Sequence, residues 1–112
     1  MVKQGDIFYV DFNPSLGHEQ MKRRPAIALS NDILAQTSGM TIVAPISSTT
    51  RNYPAYYKLP KSLKTHGKIL LDQTTAFDLK ARNVFDGDVV EHLAKSQLKD
   101  IIDTYKLLFS ID

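Results

Sequence analysis

Five short runs rich in β-branched and aromatic residues, each closed off by turn-forming residues, constrain this chain more than any other feature. They are Ile7-Phe8-Tyr9-Val10-Asp11-Phe12, Pro25-Ala26-Ile27-Ala28-Leu29, Thr41-Ile42-Val43-Ala44-Pro45-Ile46, Tyr56-Tyr57-Lys58-Leu59 and Lys68-Ile69-Leu70-Leu71. Side chains of this kind fit a pleated, half-buried surface, and the close spacing of the runs points to a barrel or rolled sheet. Pro45 removes a ladder donor from the third run, so a sheet edge or a bulge is expected there. The period then changes: Leu98, Ile101, Ile102, Tyr105, Leu108 and Phe109 recur at three- and four-residue steps, which marks one face of a helix. Lys99, Asp100, Asp103 and Lys106 fall on its other side, so this helix is expected to close the domain with a buried stripe and a wet face. The fold class is therefore mainly β with a C-terminal α-helix, in a single domain spanning residues 1–112. That length and a 43% hydrophobic content suit one core.

The sequence contains no run of roughly 18 apolar residues that would make a membrane helix, and residues 1–6 lack the apolar stretch of a signal peptide. A cytoplasmic address and no membrane partner are expected. Cysteine is absent, which excludes disulfides and thiolate metal sites but fits either redox compartment. The net charge of +2 conceals an asymmetry. Residues 1–68 carry nine Lys/Arg against four Asp/Glu, and residues 69–112 carry five against eight. Between Asp32 and Asp72 there is no acid, whereas Arg51, Lys58, Lys61, Lys64 and Lys68 supply positive charge that would attract a polyanion if they share a face. An ordinary solvated surface is the plain alternative.

Signatures of metal or nucleotide chemistry do not occur. His18, His66 and His92 are scattered, and neither H-E-x-x-H nor a G-x-x-x-x-G-K-[ST] phosphate loop is found, so no metal and no cofactor is expected. What stands out is the polar, turn-rich segment from Asn13 to Arg24, which leads straight into the apolar run that starts at Pro25. Connections held between strands are where sites are commonly placed.

Here the sequence resembles the MazF/PemK toxins. Gly5-Asp6-Ile7, Asp11-Phe12-Asn13-Pro14, Gly17-x-Glu19-Gln20 and Arg24-Pro25 ahead of a strand ending in Leu29-Ser30 look like that family's N-terminal signature. The likeness continues in order through Gly39–Ser47, Leu71-Asp72-Gln73, Asp78 and Ala81-Arg82, and so covers nearly the whole chain. It implies an SH3-like, partly open antiparallel β-barrel with small helices. It also implies a toxin endoribonuclease that cuts single-stranded RNA at specific sequences without a metal: the RNA's 2'-hydroxyl attacks the adjacent phosphate, leaving a 2',3'-cyclic phosphate and a 5'-hydroxyl. Such a reaction needs a proton acceptor, a proton donor, and positive or hydrogen-bonding groups around the transition state.

Carried over residue by residue, the resemblance makes Arg24, Ser47 and Glu19 the catalytic candidates. Arg24 matches the family's catalytic arginine; a guanidinium is a poor base near neutral pH, so stabilising the transition-state charge is its natural role. An arginine that merely ends a strand with a surface ion pair is the alternative. Ser47 stands where the family carries threonine and keeps the hydroxyl, although the register within Ser47-Ser48-Thr49-Thr50 admits a slip by one. Glu19, the only acid among the positive charges of its loop, is suited to accepting a proton, contacting a base edge or orienting Arg24. Asn13, His18, Gln20, Lys22, Arg23, Ser48, Asp72 and Gln73 are the RNA-binding candidates, and His18 adds an imidazole suited to proton transfer. For Glu19 and Gln20 the plain alternative is a structural hydrogen bond inside the loop, and for His18 it is simple exposure to solvent. One branch of the family pairs an Asp at the place of Asp72 with an Arg two residues earlier; here that residue is Leu70, which favours a mechanism centred on Arg24 and Ser47. Tyr53, Tyr56 and Tyr57 offer rings for stacking on bases, but alternation sends Tyr56 and Tyr57 to opposite faces, so at least one belongs to the core.

The implied partners are a second copy of the chain, forming a homodimer whose halves create the RNA groove, and a MazE/PemI-like antitoxin whose acidic, disordered segment fills that groove. Two rivals remain at this point. Toxins of the CcdB type share the fold and poison gyrase through a Trp-Gly-Ile tail, but this chain has no Trp and ends Phe109-Ser110-Ile111-Asp112. A catalytically silent RNA-binding homologue is the other.

Overall fold

A computed structural model describes residues 1–12 and 23–112. Its elements run β1 (Asp6–Asp11), β2 (Arg23–Ala28), α1 (Asp32–Ser38), β3 (Thr41–Ser47), β4 (Tyr56–Lys58), β5 (Lys68–Leu70), β6 (Thr75–Phe77), β7 (Val89–His92) and α2 (Lys95–Lys106), with single 3-10 turns at Leu71–Gln73, Asp86–Asp88 and Leu107–Phe109. The seven strands form one antiparallel sheet in the order β4-β5-β3-β2-β1-β7, with β6 also pairing β3. Among the described residues β4 and β7 are not joined to each other, so the sheet is a rolled one that does not close. This is the mainly β class with a terminal helix that the strand-like runs predict.

The sheet is covered on both sides, which explains why its central strands read as continuous apolar runs rather than alternating ones. Ile7, Ile27, Ala44, Ile46, Ile69, Leu71, Leu93 and Ile101 belong to one buried cluster, with α2 against it. Phe8, Val10, Ala26, Ala28, Val43, Phe77, Leu79 and Val84 make a second. Successive residues of β2 therefore alternate between two cores: Ala26 and Ala28 serve one, Ile27 the other. At roughly 25 cal/mol per Å2 of apolar surface, burial of this set is the main stabilising term.

Pro45 sits neither on an edge strand nor at a bulge. It lies in the middle of central β3, paired with Ala26 of β2. On the other side, β6 pairs with Thr41–Val43 and β5 with Ile46–Ser47, so Ala44 and Pro45 occupy the interval where β3 changes partner. A residue without an N–H suits that interval. The helical stripe also differs from expectation. Ile101 is fully buried and Ile102 and Tyr105 pack on the core, but α2 stops at Lys106 and the chain tightens into a 3-10 turn. Leu108 is 43% exposed and Phe109 69% exposed, so only the first part of the stripe is core. Two strands, β6 and β7, lie outside the five predicted runs. Helix α1 begins at an Asn31 cap, whose side chain accepts the Leu34 N–H at 3.0 Å, and ends at Gly39, whose φ of 76° favours glycine. No described helix is long and apolar enough to cross a membrane.

Candidate functional site

The ladder of β2 with β3 runs Ala28↔Val43, Ile27↔Ala44, Ala26↔Pro45. Arg24 lies two residues beyond Ala26 on β2, and Ser47 two residues beyond Pro45 on β3, at the same end of that ladder. Arg24 and Ala26 share a face of β2, as Ser47 and Pro45 share a face of β3, because side chains alternate along a strand. The fold thus carries Arg24 and Ser47 to one rim of the sheet on one side of it. Arg24 is exposed there and pairs with Val10 of β1.

Arg23 is used differently. Its guanidinium donates to the Asp88 carboxylate at 2.6 Å and to the Asn83 carbonyl at 3.3 Å. The Asp88 carboxyl is held below its ordinary value, first by the Phe85 backbone N–H and then by Arg23, against the opposing effect of burial. Arg23 thereby ties β2 to the turn ahead of β7, an engagement the sequence did not reveal. Arg82 completes this corner. It donates to the Asp11 carbonyl at 2.9 Å and lies 3.7 Å from the centre of the Phe77 ring, while Phe12 meets the same ring edge-on at 5.3 Å.

Ser47 is half-buried, and its Oγ accepts the Thr49 N–H at 3.1 Å, which turns the chain out of β3. Ser48, the other hydroxyl in register, is exposed beside it. Gly67 fits tightly behind Ser47: with φ of 123°, a Cβ on it would meet the Ser47 carbonyl oxygen at 2.4 Å. Directly across from Ser47 in the β3–β5 ladder is Lys68. Its ammonium donates to the Arg51 carbonyl at 2.5 Å and to Asn52 Oδ1 at 2.6 Å, fixing the segment that follows the hydroxyl run. In the sequence Lys68 is one member of a charge run; its place opposite Ser47 emerges from the register.

Asp72 and Gln73 are exposed on the 3-10 turn after β5, and Gln73 Nε2 reaches the Tyr56 hydroxyl at 3.5 Å. The Tyr56 ring in turn lies 4.9 Å from that of Tyr53. Tyr57 points the other way, as alternation requires: it packs on the core and its hydroxyl donates to Asp100. Burial, followed by that acidic neighbour, pushes the Tyr57 hydroxyl up to about 12. Leu70, in the place of the second family arginine, is buried. Glu19, Asn13, His18, Gln20 and Lys22 lie outside the described residues. The structure therefore brings together Arg24 and Ser47 on one rim and Gln73, Tyr56 and Tyr53 around β4, while it draws Arg23 into a structural ion pair. Among the described residues no group of three His, Asp or Glu is disposed to hold a metal.

The model of the PemK-like, MazF-like toxins of type II toxin-antitoxin systems matches residues 3–109. The chain belongs to this family. The endoribonuclease toxin ChpB of Escherichia coli K12 is 40% identical to the toxin over 86 residues, covering 71% of this chain and 72% of ChpB. The crystal structure of MazF from Deinococcus radiodurans superposes with a TM-score of 0.77 at 26% identity, over 97% of this chain and 96% of that one. A MazE-MazF structure from the same organism gives 0.76 at 21% identity, over 98% and 96%, and shares the fold.

Proposed function

We propose that this toxin is an endoribonuclease that cleaves single-stranded RNA at specific sequences by intramolecular transesterification. The observation that carries the reading is the exposed Arg24 at the same end of the β2–β3 ladder as the Ser47 hydroxyl, in a family whose member ChpB is named an endoribonuclease. The 2'-oxygen forms a bond to the adjacent phosphorus as the bond to the 5'-oxygen breaks. The 2'-hydroxyl proton passes to an acceptor, for which Glu19 is the first candidate and His18 the second, and the departing 5'-oxygen gains a proton. Arg24 supplies fixed positive charge to the phosphoryl oxygens as their negative charge grows, and Ser47 donates a hydrogen bond to one of them. The nucleophile belongs to the substrate, so no metal-activated water is required. Gln73, Asp72, Ser48, Gln20 and Asn13 are the groups proposed to read bases or hold the strand, with Lys22 adding charge.

The toxin acts in the cytoplasm as a homodimer and is silenced by an antitoxin whose acidic segment competes for the same surface. Support comes from membership of a toxin-antitoxin family and from the excess of cations in the first 68 residues.

The test is incubation of purified toxin, shown free of antitoxin, with a long unstructured RNA in excess EDTA, followed by mapping of cut sites and chemical analysis of the new 3' ends. Discrete cuts bearing 2',3'-cyclic phosphate are expected. Binding without cleavage would replace the reading with that of a silent RNA binder.

A further inference from the structure

The charge run between Asp32 and Asp72 resolves into a built feature on the face of β4 and β5. Lys58 pairs with Lys68, and Lys68 pairs with Ser47, so Ser47, Lys68 and Lys58 form one row across three strands. Paired residues share a face, and strands lie about 4.8 Å apart, which places Lys58 roughly 10 Å from Ser47 along the row. Beside this row opens a pocket of about 290 Å3 lined by Thr49, Lys58, Leu59, Lys61, His66, Gly67 and Lys68. None of these residues is acidic.

Two like charges directly opposite each other in a ladder destabilise it. The Lys68 ammonium is occupied by carbonyl oxygens, which are not counter-ions, and the exposed Lys58 and Lys61 side chains make no hydrogen bond or ion pair among the described residues. The arrangement is unfavourable in the free protein and becomes favourable when an anion is shared between the lysines. Tyr56 lies two residues before Lys58, on the same face of β4, with the Tyr53 ring against it. Cations beside aromatic rings suit an anion that alternates with planar bases more than they suit a carboxylate-rich peptide.

We propose that this pocket is a second phosphate subsite, which takes a backbone phosphate flanking the scissile one in the single-stranded RNA. Lys58 and Lys61 supply the charge, and the Thr49 hydroxyl and the His66 ring add hydrogen bonds. The inference rests on the ribonuclease reading and extends its substrate track from Ser47 across β5 to β4. The subsite holds ground state and transition state alike, so it acts on binding rather than on the chemical step.

The test compares the wild-type toxin with Lys58→Gln/Lys61→Gln, using the long unstructured RNA and measuring kcat and KM over a range of salt concentrations. Thermal melts check that both fold. A Lys95→Gln/Lys106→Gln variant controls for net charge, since both lysines are exposed on α2 away from the pocket. The pocket variant is expected to raise KM roughly tenfold at low salt with kcat within about twofold of wild type, and to flatten the dependence of log KM on log salt by about 0.7 for each phosphate lost. The control is expected to match wild type. A pocket variant with unchanged KM and slope, beside an active wild type, overturns the subsite while leaving the ribonuclease reading intact. Unchanged RNA kinetics combined with lost inhibition by poly-glutamate would assign the pocket to an acidic peptide and likewise overturn it. A wild type that neither cuts nor binds RNA removes both readings, and that outcome is visible before any variant is compared.

Discussion

Arg23 and Arg24 are neighbours on β2, yet the two corners they face are organised in opposite ways. At the Arg23 corner every strong group has a protein partner: Arg23 has Asp88 and the Asn83 carbonyl, and Arg82 has the Asp11 carbonyl and the Phe77 ring. At the Arg24 rim the arginine is exposed, and among the described residues the nearby Ser47 hydroxyl makes a single hydrogen bond, accepting the Thr49 N–H. Charge that is neutralised within the fold stabilises it; charge left facing solvent is available to a substrate. One step along the strand separates the two uses: Arg23 reaches the Asp88 carboxylate, whereas Arg24 has no ion pair among the described residues.

The largest effect that would test this contrast is on catalysis. Arg24→Ala should lower kcat/KM for RNA about 100- to 1000-fold, the usual cost of removing one preorganised group that stabilises transition-state charge, while the melting temperature changes little. Cleavage assays paired with thermal melts measure both quantities. An active Arg24→Ala toxin would dismantle the proposed site.

Gly67→Ala comes next and probes what holds Ser47 in place. The added Cβ would collide with the Ser47 carbonyl, and the φ of 123° at Gly67 is strained for any residue with a side chain. A loss of about 1–3 kcal/mol in urea unfolding is expected, with a fall in kcat as the end of β3 shifts. Unchanged stability would show that the close approach is not a constraint.

The third effect concerns the other corner. Asp88→Asn should cost about 1–3 kcal/mol while leaving kcat near wild type, because the ion pair is mostly sheltered, with side-chain exposures of 17% and 25%. The sign with pH follows from linkage. Asp88 has a folded pKa below its ordinary 3.8, so its contribution is complete above that value and disappears as the pH falls through the lower folded value. The stability gap between wild type and Asp88→Asn should therefore be constant from neutral pH down to about 5 and close in stronger acid. A gap that widened in acid would contradict the ion pair.

Much of the fold was legible because burial on one or both faces writes a local pattern. The runs behind β1 to β5 and the Ile101-Ile102-Tyr105 stripe are of this kind. Helix α1 leaves no such trace: it has seven residues, none buried, and depends on the Asn31 and Gly39 caps. β6 and β7 have three and four residues and are defined by their partners. Pro45 misled because its tolerance depends on where β6 ends and β5 begins, which only the three-dimensional pairing sets. At the site, the roles proposed for Arg24 and Ser47 came from family resemblance, and the ladder register places the two at one end. That Arg23 belongs to the scaffold was hidden, since its partner Asp88 lies 65 residues away.

The smallest expected effect is at Ser47, and it separates the hydroxyl from the methyl that the family's threonine adds. Ser47→Thr keeps an oxygen for the Thr49 N–H and a hydrogen for a phosphate oxygen, and a β-branched residue suits the end of a strand. Cleavage should stay within about twofold of wild type, whereas Ser47→Ala should lose about tenfold, close to the value of one hydrogen bond to a charged group. If Ser47→Ala were as active as Ser47→Thr while Ser48→Ala lost activity, the working hydroxyl would be one residue further on. The functional rim would then be read from the turn beyond β3 rather than from the ladder itself.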